Sequence, residues 1–299
     1  GVGFSRISVN PSLSIIYKLN YAWRFTAHAS YKERYGEMTD LYDRPYQTDY
    51  RNSVWNCGIL PVYRQQLYSV YGEYKSTARE FFATVNLTHN REWYNRIYEQ
   101  RIENGQVQRV SLPLSNHGSG YTVKSTLSKG FYDLGLKTSL MALLNISKAE
   151  QISGGQRLPY QYRLMRLEPK VIWTPNRHWE TSYQTDIRYG GNKIGERTRL
   201  APLWNVTQQV QLSYIFSPIE ASLSVDHYHN DVNEDQSVNA VFADFSVLWK
   251  SRRLQITATA TNLFDKRTYG YTRYASLESY TSWVRIRPRE FLVAIRYQL

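Results

Sequence analysis

Asp226-His227-Tyr228-His229-Asn230-Asp231 is the densest group of residues able to hold a metal or move a proton. In an extended chain alternate side chains share a face, so the two imidazoles lie about 7 Å apart, within reach of one ion. The same stretch holds the only acid–histidine combination from which a hydrolytic site could be named. A solvated rim beside a loop explains it more simply, and no catalytic or metal-binding residue is assigned. His28, His89, His117 and His178 are scattered, and Cys57 alone offers neither a disulfide nor a zinc quartet. No nucleophile elbow or metalloprotease motif occurs, and Gly154-Gly155-Gln156 and Gly190-Gly191-Asn192-Lys193 lack the strand-to-helix context of a phosphate cradle.

Aromatic side chains interleaved with arginine are the stronger chemical signal, because rings stack on ligands while guanidinium groups donate paired hydrogen bonds. They concentrate in two polar stretches. Near 34–65 stand Tyr42, Arg44, Tyr46, Tyr50, Arg51 and Trp55, and near 265–286 stand Tyr269, Tyr271, Arg273, Tyr274 and Trp283. These eleven residues are the candidate ligand-binding set.

The elements that must position them are strands. Period-two segments recur along the chain, near 12–19, 21–33, 66–76, 81–95, 120–129, 132–147, 160–173, 177–189, 204–216, 219–229, 238–250, 253–264 and 287–299. In the tenth, Ile219, Ala221, Leu223 and Val225 oppose Glu220, Ser222, Ser224 and Asp226. The segment from Tyr160 is the least regular, with a parity slip expected at Pro169. Short turns are expected at 19–20, 76–78, 129–131, 174–176, 217–218 and 251–252. They alternate with long loops near 34–65, 96–119, 148–159, 190–203, 230–237 and 265–286. That alternation fits an outer-membrane barrel with tight turns on one side and long loops on the other. Trp23, Phe131, Tyr132, Trp173, Trp179, Tyr214, Phe216 and Trp249 gather near the short turns, where an aromatic belt would meet lipid headgroups.

Composition agrees. The 299 residues include 26 Tyr, 8 Trp and 10 Phe. No apolar run is long enough for a membrane-spanning helix. A mean hydropathy of −0.55 is compatible with a barrel, where only alternate residues face lipid. Arg24, Lys75, Lys124, Lys137, Arg188 and Lys250 fall on the inward parity, so the net charge of +12 reads as lumen wall and loops near anionic lipopolysaccharide, with no nucleic-acid partner. The fold class is all-β: a transmembrane antiparallel up-and-down barrel of about thirteen strands. An odd count beginning on the outer side makes residues 1–299 one partial outer-membrane barrel domain.

The segment Thr261-Asn262-Leu263-Phe264-Asp265-Lys266-Arg267-Thr268-Tyr269, with Arg287-Pro288-Arg289-Glu290 before Phe291 to Leu299, resembles the closing hairpin of TonB-dependent outer-membrane receptors. A departure is the terminal Leu299, where an aromatic is usual. The resemblance implies a 22-stranded barrel of which this is the C-terminal part, in the outer membrane of a Gram-negative bacterium. It also implies an N-terminal plug and coupling box outside this sequence, a TonB energy-coupling complex, a scarce nutrient as ligand (siderophore, cofactor, glycan or peptide) and, in some members, a surface lipoprotein. It implies no catalysis and no cofactor. A passive porin or adhesin barrel and an outer-membrane barrel hydrolase are the alternatives, and a soluble nucleic-acid binder is the remotest reading.

Overall fold

The computed structural model of the chain describes residues 7–103, 106–195, 198–199, 202–232, 235–274 and 279–298. Thirteen antiparallel strands form its wall: β1 (Ser12–Lys18), β2 (Trp23–Tyr35), β3 (Val62–Ser76), β4 (Phe81–Tyr94), β5 (Asn116–Phe131), β6 (Leu136–Ser153), β7 (Gln156–Asn176), β8 (Trp179–Ile194), β9 (Leu203–Phe216), β10 (Ile219–Asp231), β11 (Ser237–Lys250), β12 (Leu254–Thr261) and β13 (Glu290–Tyr297). Each pairs with the next in chain order. Among the described residues no ladder joins β1 to β13.

The registers carry one parity across the whole wall. A single row runs Ile15, Ala27, Val70, Leu87, Val123, Leu144, Met165, Tyr189 and Trp204, each directly opposite the next. The row behind it reads His28, Ser69, Thr88, Thr122 and Asn145, with the Asn145 amide donating to the Thr122 hydroxyl at 2.8 Å. Val70, Leu87 and Met165 remain 53%, 48% and 48% exposed, and Leu13, Ile15, Tyr68, Phe245 and Phe291 on the same face are exposed too. A continuous field of exposed apolar side chains backed by a polar face is the pattern of a barrel wall between hydrocarbon and an aqueous lumen. No helix among the described residues is long and apolar enough to cross a membrane. Arg24, Lys75, Lys124, Lys137, Arg188 and Lys250 lie on the polar parity, as their spacing requires.

The belt residues lie on the apolar parity near the tight turns, with Trp23 against Tyr74 at 4.8 Å and Trp179 against Tyr214 at 4.7 Å between ring centroids. Tyr132 differs, standing in the turn itself. Several expected boundaries shift. The turn placed at 129–131 is formed by Tyr132–Leu134 and Gly135, whose φ of 60° lets the chain reverse where a Cβ would meet the Thr174 carbonyl. The turn placed at 174–176 falls at residues 177–178. The expected parity slip at Pro169 is absent. β7 keeps one register with β6 from Leu136↔Trp173 to Ser153↔Gln156, so Leu164 faces the lumen and Leu167 the lipid. The irregularity against β8 comes later, between Trp173 and Asn176.

The loops near 148–159 and 190–203 are mostly strand. β6 and β7 run on as a hairpin closed by Gly154 and Gly155, both at positive φ, as a two-residue turn requires. Polar alternation above the lipid, in Lys148, Glu150 and Arg157, reads as loop in sequence but pairs just as well as the apolar alternation below.

The long loops are also built of strands. Tyr46–Gln47 pairs with Asn52–Trp55, which runs parallel to Gln106–Leu112. That strand pairs with Ile97–Glu103, which meets the end of β6 at Ile152 and Ser153. Ile97, Val110 and Ile152, at 0%, 5% and 6% exposure, are buried where these loop strands meet the end of β6.

Candidate functional site

The two aromatic-arginine sets occupy two separate places on the long-loop side. In the first, a short 3-10 turn at Met38–Leu41 is anchored by Asp40, which accepts from the Glu37 N–H and pairs with Arg96, each at 2.9 Å. Tyr42 meets Tyr46 edge-on at 6.1 Å, and the Trp55 indole donates to Asp43 at 3.3 Å. Arg51 lies 5.3 Å from the Tyr50 ring, while its N–H donates to Asp49. The Asn52 amide and the Arg51 N–H bond to the Asp49 carboxylate and hold it below the usual carboxylate range. Arg44 is exposed. Much of this set holds its own loop in shape. The guanidinium groups of Arg109 and Arg96 lie 3.7 and 5.0 Å from the centre of the Tyr98 ring.

The second set forms a hairpin, Thr268–Tyr274 with Ser279–Arg285, that lies against the ends of β8, β10 and β11. The Asn230 amide donates to the Tyr269 hydroxyl at 2.8 Å, and Tyr269 packs edge-on against Tyr228 at 5.3 Å and beside Tyr271 at 6.0 Å. Trp283 lies directly over Gly270, where an added Cβ would sit 2.7 Å from its ring, so only glycine lets it approach so closely. Arg273 and Tyr274 stand opposite Tyr280 and Ser279, and the side chains of these four lie outside the described residues.

Between the second hairpin and the polar face of the wall is a cleft of about 290 Å³ lined by Tyr162, Arg166, Arg188, Asn205 and Thr272 among others. Arg166 and Arg188 face each other across β7 and β8. Like charges in that position repel, and here Asp186 separates them. Arg166 donates to both its oxygens at 3.0 and 2.9 Å, and Arg188 Nε donates to it at 3.1 and 3.0 Å. Glu168 is paired to Arg166 on the other side. Arg188 is half exposed, so its outer edge is free to donate. The floor therefore offers fixed guanidinium donors, an amide, a hydroxyl and a tyrosine ring, which suits an oxygen-rich ligand. The ligand-site expectation named Arg273, Tyr274 and their neighbours and passed over Tyr162, Arg166, Asn205 and Thr272. The detectable signal was a pair of inward arginines on neighbouring strands with an acid two residues before the second.

The histidine cluster assembles only in part. The registers put His227 and His229 on the apolar face and Asp226 on the polar one, so Asp226 is separated from both imidazoles by the sheet. His229 bonds to Asn239 at 2.9 Å and lies 3.4 Å from the Asp231 carboxylate on its own face. No group of three metal-binding side chains occurs among the described residues.

The two C-terminal motifs meet. Asn262, with φ of 50°, donates from its amide to the carbonyls of Lys266 and Arg287 at 2.9 and 2.8 Å and accepts from the Lys266 N–H at 3.0 Å. Its own N–H donates to Asp244 at 2.7 Å. Asp265, with φ of 52°, accepts from Arg267 and from the Arg289 N–H, which together hold its carboxyl below the usual range. The exit of β12 is thus clasped to the entry of β13.

No protein-family model matches the sequence, and no curated protein matches it. Among solved structures, FpvA of P. aeruginosa, in complex with heterologous pyoverdines, is 10% identical at a TM-score of 0.48; the match covers 96% of this chain and 44% of that one. The toluene transporter TodX of Pseudomonas putida is 12% identical at a TM-score of 0.27, covering 87% and 78%. The ferric yersiniabactin uptake receptor FyuA from Yersinia pestis is 8% identical at a TM-score of 0.48, covering 97% and 50%. The chain is thus similar over nearly its whole length to FpvA and FyuA, and it spans about half the length of each.

Proposed function

We propose that residues 1–299 are the C-terminal region of a larger outer-membrane receptor of the TonB-dependent kind, which captures a scarce nutrient at its outer loops and admits it through a gated lumen. One observation carries this reading: the Asn262–Asp265 and Arg287–Arg289 segments, on which the sequence resemblance rests, bond to each other as one clasp. The cleft under the last hairpin supports ligand capture there, because it opens on the polar face at the long-loop end. Thr272 brings the last hairpin over this cleft, so Tyr269, Tyr271 and Trp283 of the same hairpin are proposed as ligand contacts at its margin, with Tyr42, Arg44, Tyr46, Tyr50, Arg51 and Trp55 on the first long loop as a separate contact surface. A plug and coupling segment elsewhere in the protein, a TonB complex and a capping lipoprotein belong to the same reading.

The test is uptake by cells expressing the full-length protein, using a panel of radiolabelled ferric chelates, cobalamin and oligosaccharides. At least one should accumulate only when the proton-motive force and the coupling protein are intact. Arg188→Ala should weaken its capture about tenfold or more, since a hydrogen bond from a charged group is lost. Accumulation that persists without energy coupling would identify a passive channel and sink the proposal.

A further inference from the structure

We propose that the outward face of β4–β8 carries a binding site for the phosphate groups of an outer-leaflet glycolipid. This rests on the outer-membrane reading above and adds a site to it. Of the lysines and arginines that the registers put on the apolar face of the wall strands, all but Lys129 lie at the long-loop end, and all are confined to β3–β8. Arg64 and Arg157 among them are neutralised by Glu33 and Glu150, at 3.6 and 3.0 Å. Arg91, Lys148, Arg163 and Lys193 have no carboxylate partner among the described residues.

These four form one stripe. Arg91 is opposite Ser119, Ser119 opposite Lys148, Lys148 opposite Gln161, and Gln161 opposite Lys193. With strands about 4.8 Å apart, the cations recur roughly every 10 Å, with Arg163 two residues below Gln161. One row deeper the same face reads His89, Tyr121 and Ile146, and below that Leu87, Val123, Leu144 and Met165, so the stripe borders the hydrocarbon band. A cleft of about 280 Å³ opens in the stripe, lined by His117, Ser119, Lys148, Gln161 and Lys193 among others, and by Glu150, whose carboxylate is already paired with Arg157 at 3.0 Å.

Solubility cannot explain this placement, because the long-loop ends of β9–β12 carry no lysine or arginine on the outward face. Spaced cations above an apolar surface match a molecule with more than one phosphate above acyl chains. Bisphosphorylated lipid A fits that description, whereas a phospholipid brings a single phosphate per headgroup.

The test uses the full-length protein in detergent, titrated with bisphosphorylated lipid A, its dephosphorylated form and phosphatidylglycerol, and read by native mass spectrometry. Bound lipid A should fall roughly a hundredfold in K148Q/R163Q/K193Q, about fivefold per charge. It should be unchanged in K129Q, at the opposite end of the same face. Equal retention by the triple variant, equal loss in K129Q, or equal binding of phosphatidylglycerol would each overturn the assignment. Should the triple variant not fold, as judged by heat-modifiable gel migration, the three single variants carry the same comparison. Nutrient uptake is expected to survive in K148Q/R163Q/K193Q and fall in Arg188→Ala, so failure of the glycolipid site and failure of the receptor reading give different results.

Discussion

Asn262 combines two demands that few side chains meet together. Its backbone is left-handed, and its amide satisfies three main-chain groups where the wall gives way to the last loop. At 7% exposure those groups have little access to water. Asn262→Ala should therefore destabilise the folded protein by about 2–3 kcal/mol, through unpaired carbonyls and a strained φ. Asn262→Gly should cost less, because it loses the bonds but not the conformation. Urea titration in detergent, followed by tryptophan fluorescence, separates the two variants, and equal stability for all three proteins would remove the clasp from the argument. Asn262 and Asp265 were visible in the sequence as parts of a motif. Their joint role was not, because it depends on Arg287 and Arg289 returning across a long loop.

The elements were legible where one physical signal dominated. Period two is imposed when one face meets hydrocarbon and the other water, and every wall strand was visible for that reason, down to the direction in which Arg24 and Lys250 point. The loop strands at 97–103 and 106–112 were invisible, because they pair with other loop strands and with the last residues of β6, where no lipid enforces a pattern on them. The cleft was hidden for a related reason. Arg166, Asn205 and Thr272 are unremarkable singly and gain meaning only when the last hairpin lies back on the wall. The hairpin turn at Gly154–Gly155 is a test at this scale, since nothing approaches within 4 Å of a Cβ built at either position. A short epitope inserted there should preserve folding and be stained on intact cells, whereas one inserted at Tyr132–Asp133 should be stained only after permeabilisation. The reverse labelling would invert the assigned sides.

Over the whole molecule, the wall has two edges. β1 and β13 are each paired on one side, and all their residues are exposed. An open edge in hydrocarbon leaves backbone groups without partners, so we expect further strands of the same protein to cover both. Residues 1–299 produced alone should associate through these edges and sediment above the monomer in detergent, and a monodisperse monomer would count against a larger barrel. The connections also divide the wall into repeating units. Tight turns join β1 to β2, β3 to β4, β5 to β6, β7 to β8, β9 to β10 and β11 to β12, and every other connection lies on the opposite side. Deleting one residue within a strand would exchange its lipid and water faces, and a turn as short as Ser217–Pro218 has no slack to restore them. An outer loop such as 36–61 has slack to spare. The unit in which such a wall lengthens, shortens or is recombined is consequently the two-strand hairpin, inherited whole, with its outer loops free to diverge around it.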